Sequence, residues 1–439
     1  MGRTKKLAAK LKRFWHILGP GLITGASDDD PSGIATYSQA GAQFGLSTLW
    51  TALITFPLMA SIQEMCARIG MVTSLGLTGT LKRNYPRSIL YLMVMFSFPA
   101  IVLNIGADIA GMGAVANLII PSVHAIYFSI AFTAILLVSI IYFPYQKIAS
   151  ILKYLCITLL VYLIVPFLSS QDWTIIVQRT FIPTLHFNKE FISILVAVLG
   201  TTISPYLFFW QATMEVEDMK HKKKHLVVNN NLIHKMKLDV NFGMLFSNIV
   251  MFFIILTTGT VLFNGGIHQI DTVEQAAKAL EPLAGEGAYY LFAIGVIGTG
   301  FLAIPVLSGS LSYIISETFG WEEGLDKKFH EAKPFYMVII ISLLIGLAIN
   351  YIGISPIQAL IYSAILYGLT SPVIIAIVMH IANNKSVMKE FTNGRWSNAM
   401  GVITLLLMTL AAICKLLHHT FVIGNVHNNC DDDRRRKSV

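Results

Sequence analysis

Asp28-Asp29-Asp30-Pro31-Ser32-Gly33 and Thr201-Thr202-Ile203-Ser204-Pro205-Tyr206 are the two stretches on which the fold turns. Each falls in the middle of a long apolar segment and carries a proline, which supplies no backbone NH and clashes with the preceding helical turn. Gly33 and Gly200 lower the cost of leaving helical geometry nearby. In lipid an unwound backbone leaves polar groups unpaired, so such a break persists only where it lines a cavity inside the protein. The pair therefore predicts two discontinuous membrane helices with a polar site between them. Two ordinary proline kinks are the competing reading. The acidic triplet argues against it, because a carboxylate at mid-membrane depth costs at least ~2.5 kcal/mol and needs water, a cation, protons or helix-end dipoles. Consecutive helical residues point about 100° apart, so the three carboxylates share a ligand face only where the segment is unwound. Alternatively Asp28 and Asp29 sit in a hydrated mouth and Asp30 alone faces the centre.

The composition around these stretches belongs to a multi-pass membrane protein. Of 439 residues, 55% are apolar and 13% charged, about half the charged share of a soluble domain. The 32 Lys and Arg against 24 Asp and Glu give a net charge of +8. The basic residues lie in short clusters between apolar runs, which points to lipid headgroups and not to nucleic acid. Cys66, Cys156, Cys414 and Cys430 are too scattered for a disulfide framework or a metal knuckle. No cofactor is implied, and no enzyme: the glycines from Gly295 to Gly300 lack a strand-turn-helix context and read as close helix packing.

Stretches with few or no charges place spans at 17 to 44, 47 to 70, 88 to 117, 123 to 143, 149 to 168, 190 to 216, 240 to 263, 286 to 315, 334 to 353, 355 to 382 and 398 to 418. Helices one and six, the broken ones, are each the first of five, the arrangement expected of an inverted repeat with its site at the bilayer midplane. The expected fold is thus all-α and integral to the membrane, eleven helices as five plus five plus one. It divides into a basic cytoplasmic N-terminus at 1–16, repeats at 17–168 and 169–382, a loop and eleventh helix at 383–418, and a polar tail at 419–439. With the N-terminus inside, one set of loops holds Lys82, Arg83, Arg87, Lys147, Lys153, Lys220, Lys222 to Lys224, Lys235, Lys237, Lys327, Lys328, Lys333, Lys385, Lys389 and Arg395, and the opposite set only Arg179, Lys189 and Lys278. That bias predicts a cytoplasmic membrane protein with its N-terminus in the cytoplasm. The tail, with Arg434 to Lys437, falls outside by the odd count and runs against the bias. The basic start at Arg3 to Arg13 is not read as a signal peptide, because its apolar run continues past Asp28 to Pro31 without a cleavage pattern.

The expected substrate site comprises Asp30, Ser32, Gly33, Thr201, Thr202, Ser204 and Tyr206, with Asp30 and Asp29 as metal ligands if the substrate is a cation. Asp28, Asp29, Asp108 and Glu64 are the expected proton or ion carriers. Glu64 and Arg68 are four apart and also suit a structural ion pair, whereas Asp108 has no local partner. Glu215, Glu217 and Asp218 are expected at the interface.

These residues resemble the natural resistance-associated macrophage protein (NRAMP) metal transporters. The similarity runs through Gly19-Pro20-Gly21, Asp30-Pro31, Ala40-Gly41-Ala42 with Phe44-Gly45, Ala67-Arg68-Ile69-Gly70 with Val72-Thr73, Tyr85-Pro86-Arg87, and later Met388, Phe391, Asn393 and Arg395-Trp396. It implies the leucine-transporter-type fold, alternating access, and proton-coupled uptake of divalent transition metals. The site departs from the family pattern. Asp-Pro-Gly-Asn becomes Asp30-Pro31-Ser32-Gly33, Met-Pro-His becomes Ser204-Pro205-Tyr206, a glutamine aligns with Ala364, and the second histidine of the sixth helix aligns with Gln211. In the third helix Ile105 and Asp108 stand where the family has Asp and Glu. A thioether favours manganese, iron or cadmium over hard cations, so its loss predicts a hard divalent cation such as Mg2+, with Mn2+ next. The rival substrate is a small carboxylate, held by hydroxyls and by the free NH groups of the half-helices starting near Ser32 and Tyr206. A receptor-like protein that keeps the fold without transport is the third reading.

Overall fold

The structure is a computed structural model and describes residues 19–143, 161–168, 171–221 and 228–436. The predicted cytoplasmic N-terminus, the first part of the fifth span, Lys147, Lys153 and Lys222 to Lys224 lie outside those residues. In chain order the first half holds α1 (Pro20–Asp28), α2 (Pro31–Phe44), α3 (Trp50–Thr73), α4 (Leu77–Asn84), α5 (Arg87–Ile119), α6 (Ala125–Tyr142) and α7 (Val161–Leu168). After α8 (Trp173–Phe181) come α9 (Lys189–Thr202), α10 (Pro205–His221), α11 (Asn230–Val261), α12 (Val273–Ala277), α13 (Glu281–Ala284) and α14 (Ala288–Phe319). The chain ends with α15 (Lys333–Ile349), α16 (Pro356–Asn383), α17 (Lys385–Met388) and α18 (Arg395–Arg436).

Both predicted breaks are present, and they share a geometry. Asp29 closes α1 at φ −83° and ψ 51°, and Ile203 closes α9 at φ −109° and ψ 58°. Two residues later Pro31 and Pro205 each open the next half-helix. Proline at the first helical position costs nothing, since that NH has no intrahelical partner, but the residue before it is pushed out of the helical region. Asp30 obeys that rule at φ −70° and ψ 172°, and its side chain accepts from the Gly33 NH to cap α2.

Among the described residues, eight helices are long and apolar enough to cross a membrane, counting α9 with α10 as one. A ninth candidate is the pair Pro31–Thr48 and Trp50–Thr73, bent by 109°, which the sequence reading divides between its first and second spans. The expected fifth span lies mostly outside the described residues, and the first two fall short for physical reasons. The break leaves α1 only nine residues long, and α3 carries Pro57, Glu64 and Arg68.

Close helix crossings hold the broken elements. A Cβ on Gly25 of α1 would lie 2.1 Å from the Gly243 carbonyl oxygen of α11, and one on Gly200 of α9 would lie 2.1 Å from the Ala364 oxygen of α16. Lipid offers no hydrophobic drive between helices, so such small-residue contacts supply much of the packing. Asp239 of α11 anchors the start of α1 by accepting from the Gly19 and Gly21 NH groups, each at 2.8 Å. Those amides have no intrahelical partner, so a carboxylate satisfies them with favourable charge.

Candidate functional site

The first break presents two polar faces. Asp30 turns toward α5 and α16: Oδ1 accepts from the Gly33 NH at 2.7 Å and Oδ2 from Asn104 Nδ2 at 2.9 Å. Asn104 Oδ1 in turn accepts from Ser363 Oγ at 2.7 Å. Ser363 has a second acceptor, the Leu360 carbonyl, at 2.8 Å, and Ser32 Oγ donates to that carbonyl at 2.7 Å. Asp28 and Asp29 turn toward α11, where Ser247 Oγ reaches Asp28 Oδ2 at 2.6 Å and Asp29 Oδ1 at 3.3 Å. A serine hydroxyl carries one hydrogen, so it serves one of them fully.

The second break is joined to the first by hydroxyl bonds. Tyr206 OH donates to the Ser27 carbonyl at 2.9 Å, and its ring lies 5.7 Å from that of Tyr367 on α16. Thr202 Oγ1 donates to the Val198 carbonyl at 2.7 Å and lies 3.1 Å from Tyr37 OH of α2. Ser204 Oγ donates back to the Thr201 carbonyl at 2.5 Å. Thr201 itself is 2% exposed, as is Asp30, while Asp28, Asp29, Asp108 and Asn104 are fully buried.

Of the predicted substrate residues, Asp30 and Ser32 meet in one network through Asn104 and Ser363, while Thr202 and Tyr206 face α2 and α1. Asp29 does not join Asp30: it shares Ser247 with Asp28 on the other face. Among the described residues no three His, Cys, Asp or Glu side chains form a metal-holding group. Asp108 lies within electrostatic reach of Asp30 and close to the Ser32 amide, yet neither of its oxygens makes a hydrogen bond. Glu64 is engaged elsewhere, 2.9 Å from Arg68 Nε and 3.3 Å from Lys237 Nζ. Arg68 also donates to the Phe391 carbonyl and to Asn393, so the i, i+4 reading of that pair describes its geometry. Glu215, expected at the interface, is 5% exposed and accepts from Gln211 at 2.9 Å. The spacing that puts both on one helix face also brings the carboxylate inside.

Sequence reasoning missed Asn104, Ser247 and Ser363. An amide at mid-span was a usable signal for Asn104; the two serines carry none, since serine is common in membrane helices. Away from the breaks, a cavity of about 540 Å³ opens between α4, α10 and the end of α14, lined by Lys82, Glu217, Lys220, Glu317, Trp321 and Glu323 among others.

The helical bundle and the paired breaks at its centre define a multi-pass membrane protein of the leucine-transporter-type fold. A family model described as natural resistance-associated macrophage protein-like matches residues 21–418, and the chain belongs to that family. The divalent metal cation transporter MntH of Caldanaerobacter subterraneus is 25% identical over 403 residues, covering 90% of this chain and 91% of the relative. MntH of Clostridium acetobutylicum is 24% identical over 425 residues, covering 96% and 95%. The manganese transporter of Eremococcus coleocola, solved with an aromatic bis-isothiourea substituted compound, superposes with a TM-score of 0.72 at 18% identity, over 91% of this chain and 86% of that one. Mhp1, a nucleobase-cation-symport-1 family transporter, superposes with a TM-score of 0.51 at 13% identity, over 94% and 93%.

Proposed function

We propose that this protein is a secondary transporter that carries a hard divalent cation, Mg2+ first and Mn2+ second, across the cytoplasmic membrane by alternating access of its two five-helix repeats, with the N-terminus in the cytoplasm. The relatives that carry the name divalent metal cation transporter support the cargo class. The observation that carries the choice of charge is the distribution of unmatched polar atoms at the breaks. Four buried carboxylate oxygens lack a hydrogen bond: Asp28 Oδ1, Asp29 Oδ2 and both of Asp108. Four of the hydroxyls that an anion would need already donate to backbone carbonyls, Ser32 to Leu360, Ser204 to Thr201, Thr202 to Val198 and Tyr206 to Ser27, which leaves the Tyr367 hydroxyl as an unmatched one beside Tyr206. A buried unmatched carboxylate oxygen is costly until a cation or proton meets it. That imbalance favours a cation over a carboxylate.

The side chains joined to Asp30 through its network, Ser32, Asn104 and Ser363, can offer a metal only oxygen, and Ser204 stands where the family has its thioether. Oxygen-only surroundings suit a cation that binds one or two carboxylates and keeps several waters, the habit of Mg2+. Asp30 is the primary ligand in this reading, with backbone carbonyls and water as candidates for the outer positions; Asp29, turned to Ser247 on the other face, is not retained as a ligand. Asp108, near Asp30 but on another helix, is the proposed proton carrier, with Asp28 and Asp29 as the other candidates. Glu64 is not retained in that role, because its ion pairs with Arg68 and Lys237 hold it.

Uptake into proteoliposomes tests the reading, comparing Mg2+, Mn2+ and Ca2+ with small mono- and dicarboxylates under an imposed pH gradient. Saturable Mg2+ uptake lost in Asp30→Ala is the expected result. Acidification driven by a carboxylate in the absence of metal would sink it.

A further inference from the structure

We propose that Asn104 is a ligand of the transported cation, presenting its carboxamide oxygen beside Asp30 after a half-turn of the amide group. This rests on the cation reading above and names a binding residue for the same site.

The argument starts from how the amide is now held. Asn104 is fully buried, with Nδ2 toward Asp30 Oδ2 and Oδ1 toward Ser363 Oγ. An ionised carboxylate only accepts, so it dictates that orientation: the reverse would set oxygen against oxygen. A cation between the two groups inverts the logic. It draws the amide oxygen toward Asp30 and sends the NH2 toward Ser363.

Ser363 and Ser32 can follow the inversion and keep their own hydrogen bonds. Ser363 Oγ now donates to Asn104 but has the Leu360 carbonyl at 2.8 Å as a second acceptor. With its hydrogen turned there, Ser363 can accept from the flipped amide. Ser32 lies 3.0 Å from Ser363 and 2.7 Å from the same carbonyl, which has two lone pairs. The hydroxyl pair thus supports either orientation, which a site that must bind and release requires.

The spacing fits as well. Adjacent oxygens of an octahedral Mg2+, each at about 2.1 Å from the metal, are about 3.0 Å apart. Asn104 Nδ2 and Asp30 Oδ2 are 2.9 Å apart, and the flip places an oxygen at the first of those positions. Asp30 and Asn104 come from helices 74 residues apart in sequence, so the pairing cannot be read from either helix alone.

The test is equilibrium binding of Mg2+, and of Mn2+ followed by electron paramagnetic resonance, to the purified full chain and its variants. Each variant is first checked for monodisperse elution and melting. If Asn104 is a ligand, Asn104→Asp keeps an oxygen in place and binds both metals as tightly as wild type or more so, while Asn104→Leu weakens them at least about tenfold. If Asn104 only donates a structural hydrogen bond to Asp30, the order reverses: the Asp variant sets two carboxylates against each other and is the worst. That order overturns the proposal, as does wild-type affinity in a folded Leu variant. Asn104→Thr, which keeps a shorter oxygen, replaces the Asp variant if that one does not fold; binding above the Leu variant supports a ligand and binding equal to it refutes one. Asp30→Ala separates the two levels of the argument. If wild type binds neither metal, the cation reading fails; if Asp30→Ala abolishes binding and Asn104→Leu leaves it intact, only the assignment of Asn104 fails.

Discussion

Tyr206, at the head of the second half of one broken helix, donates its phenolic hydrogen at 2.9 Å to the backbone carbonyl of Ser27, in the last turn of the first half of the other. The last carbonyls of a helix have no partner within it, so this bond satisfies an end of α1 that would otherwise face the protein interior unpaired. It also makes the two breaks one mechanical unit. A polar bond at this depth, away from competing water, is the simplest way for movement of one half-helix to be felt by the other.

Tyr206→Phe removes that bond and leaves the ring, which still packs near Tyr367. Stranding a buried carbonyl costs about 1–3 kcal/mol, so the variant should melt lower in detergent by an amount of that order. Cation binding at Asp30 should persist while uptake slows. Wild-type turnover in Tyr206→Phe liposomes would show that the two half-helices move independently.

Ser204→Met restores the thioether that the family pattern carries at this position. Ser204 is 1% exposed, so the longer side chain forces local rearrangement at about 1–3 kcal/mol. A soft sulfur beside Asp30 should raise affinity for Mn2+ and Cd2+ relative to Mg2+. Competition binding with the three ions measures this; an unchanged preference would mean that the sulfur cannot reach the cation.

How far the sequence carried differs between backbone and site. The breaks were legible because two local facts coincide, a proline at Pro31 and Pro205 and the depth of each within an apolar run. The family was legible from motifs such as Ala67-Arg68-Ile69-Gly70. The network around Asp30 was not, because its members are distant: Asn104 lies 74 residues on, and Ser32 and Ser363 are 331 apart. Serine and asparagine in a membrane helix have no spacing that announces a partner, whereas Glu64 and Arg68 do, one helical turn apart. Even there Lys237 and Asn393, which complete the cluster, come from elsewhere in the chain.

Arg68→Ala should be the most destabilising single change in that cluster. Arg68 is 3% exposed and joins Glu64 to the Phe391 carbonyl and Asn393. Removing one partner of a buried pair costs about 3–5 kcal/mol, because the other charge stays buried. Glu64→Gln keeps an acceptor for the guanidinium and should cost less. Thermal melts of the two variants give the order, and a milder Arg68→Ala would mean that Lys237 alone suffices for Glu64.

Gly243→Ala tests the crossing that holds α1 against α11. The added Cβ would sit 2.0 Å from the Gly21 carbonyl oxygen, a backbone atom that no rotamer change can move. The helices must separate, which loosens the Asp239 cap on the Gly19 and Gly21 amides one turn away. The loss should therefore exceed that of Asp239→Ala alone, which costs about 1–2 kcal/mol as a capping substitution. Yield of monodisperse protein compares the two, and equal stability of Gly243→Ala and wild type would contradict the packing.

A pH dependence follows from Glu323, in the loop between α14 and α15 and on the wall of the cavity that Lys82, Glu217 and Lys220 also line. Burial, joined by the nearby Glu317 carboxylate, pushes the Glu323 carboxyl up to about 8, with Lys220 opposing. One of its oxygens, Oε2, is buried without a hydrogen bond. In the unfolded chain a glutamate loses its proton near pH 4.3, so between about pH 4.3 and 8 the folded state holds a proton that the unfolded state has released. Stability then falls as pH rises across that window, and the contribution, full below the unfolded value, is gone once pH passes about 8. Glu323→Gln is neutral throughout and should flatten the melting temperature between pH 5 and pH 9 relative to wild type. An identical slope in both proteins would place the titrating group elsewhere in the cavity, with Glu317 the next to replace.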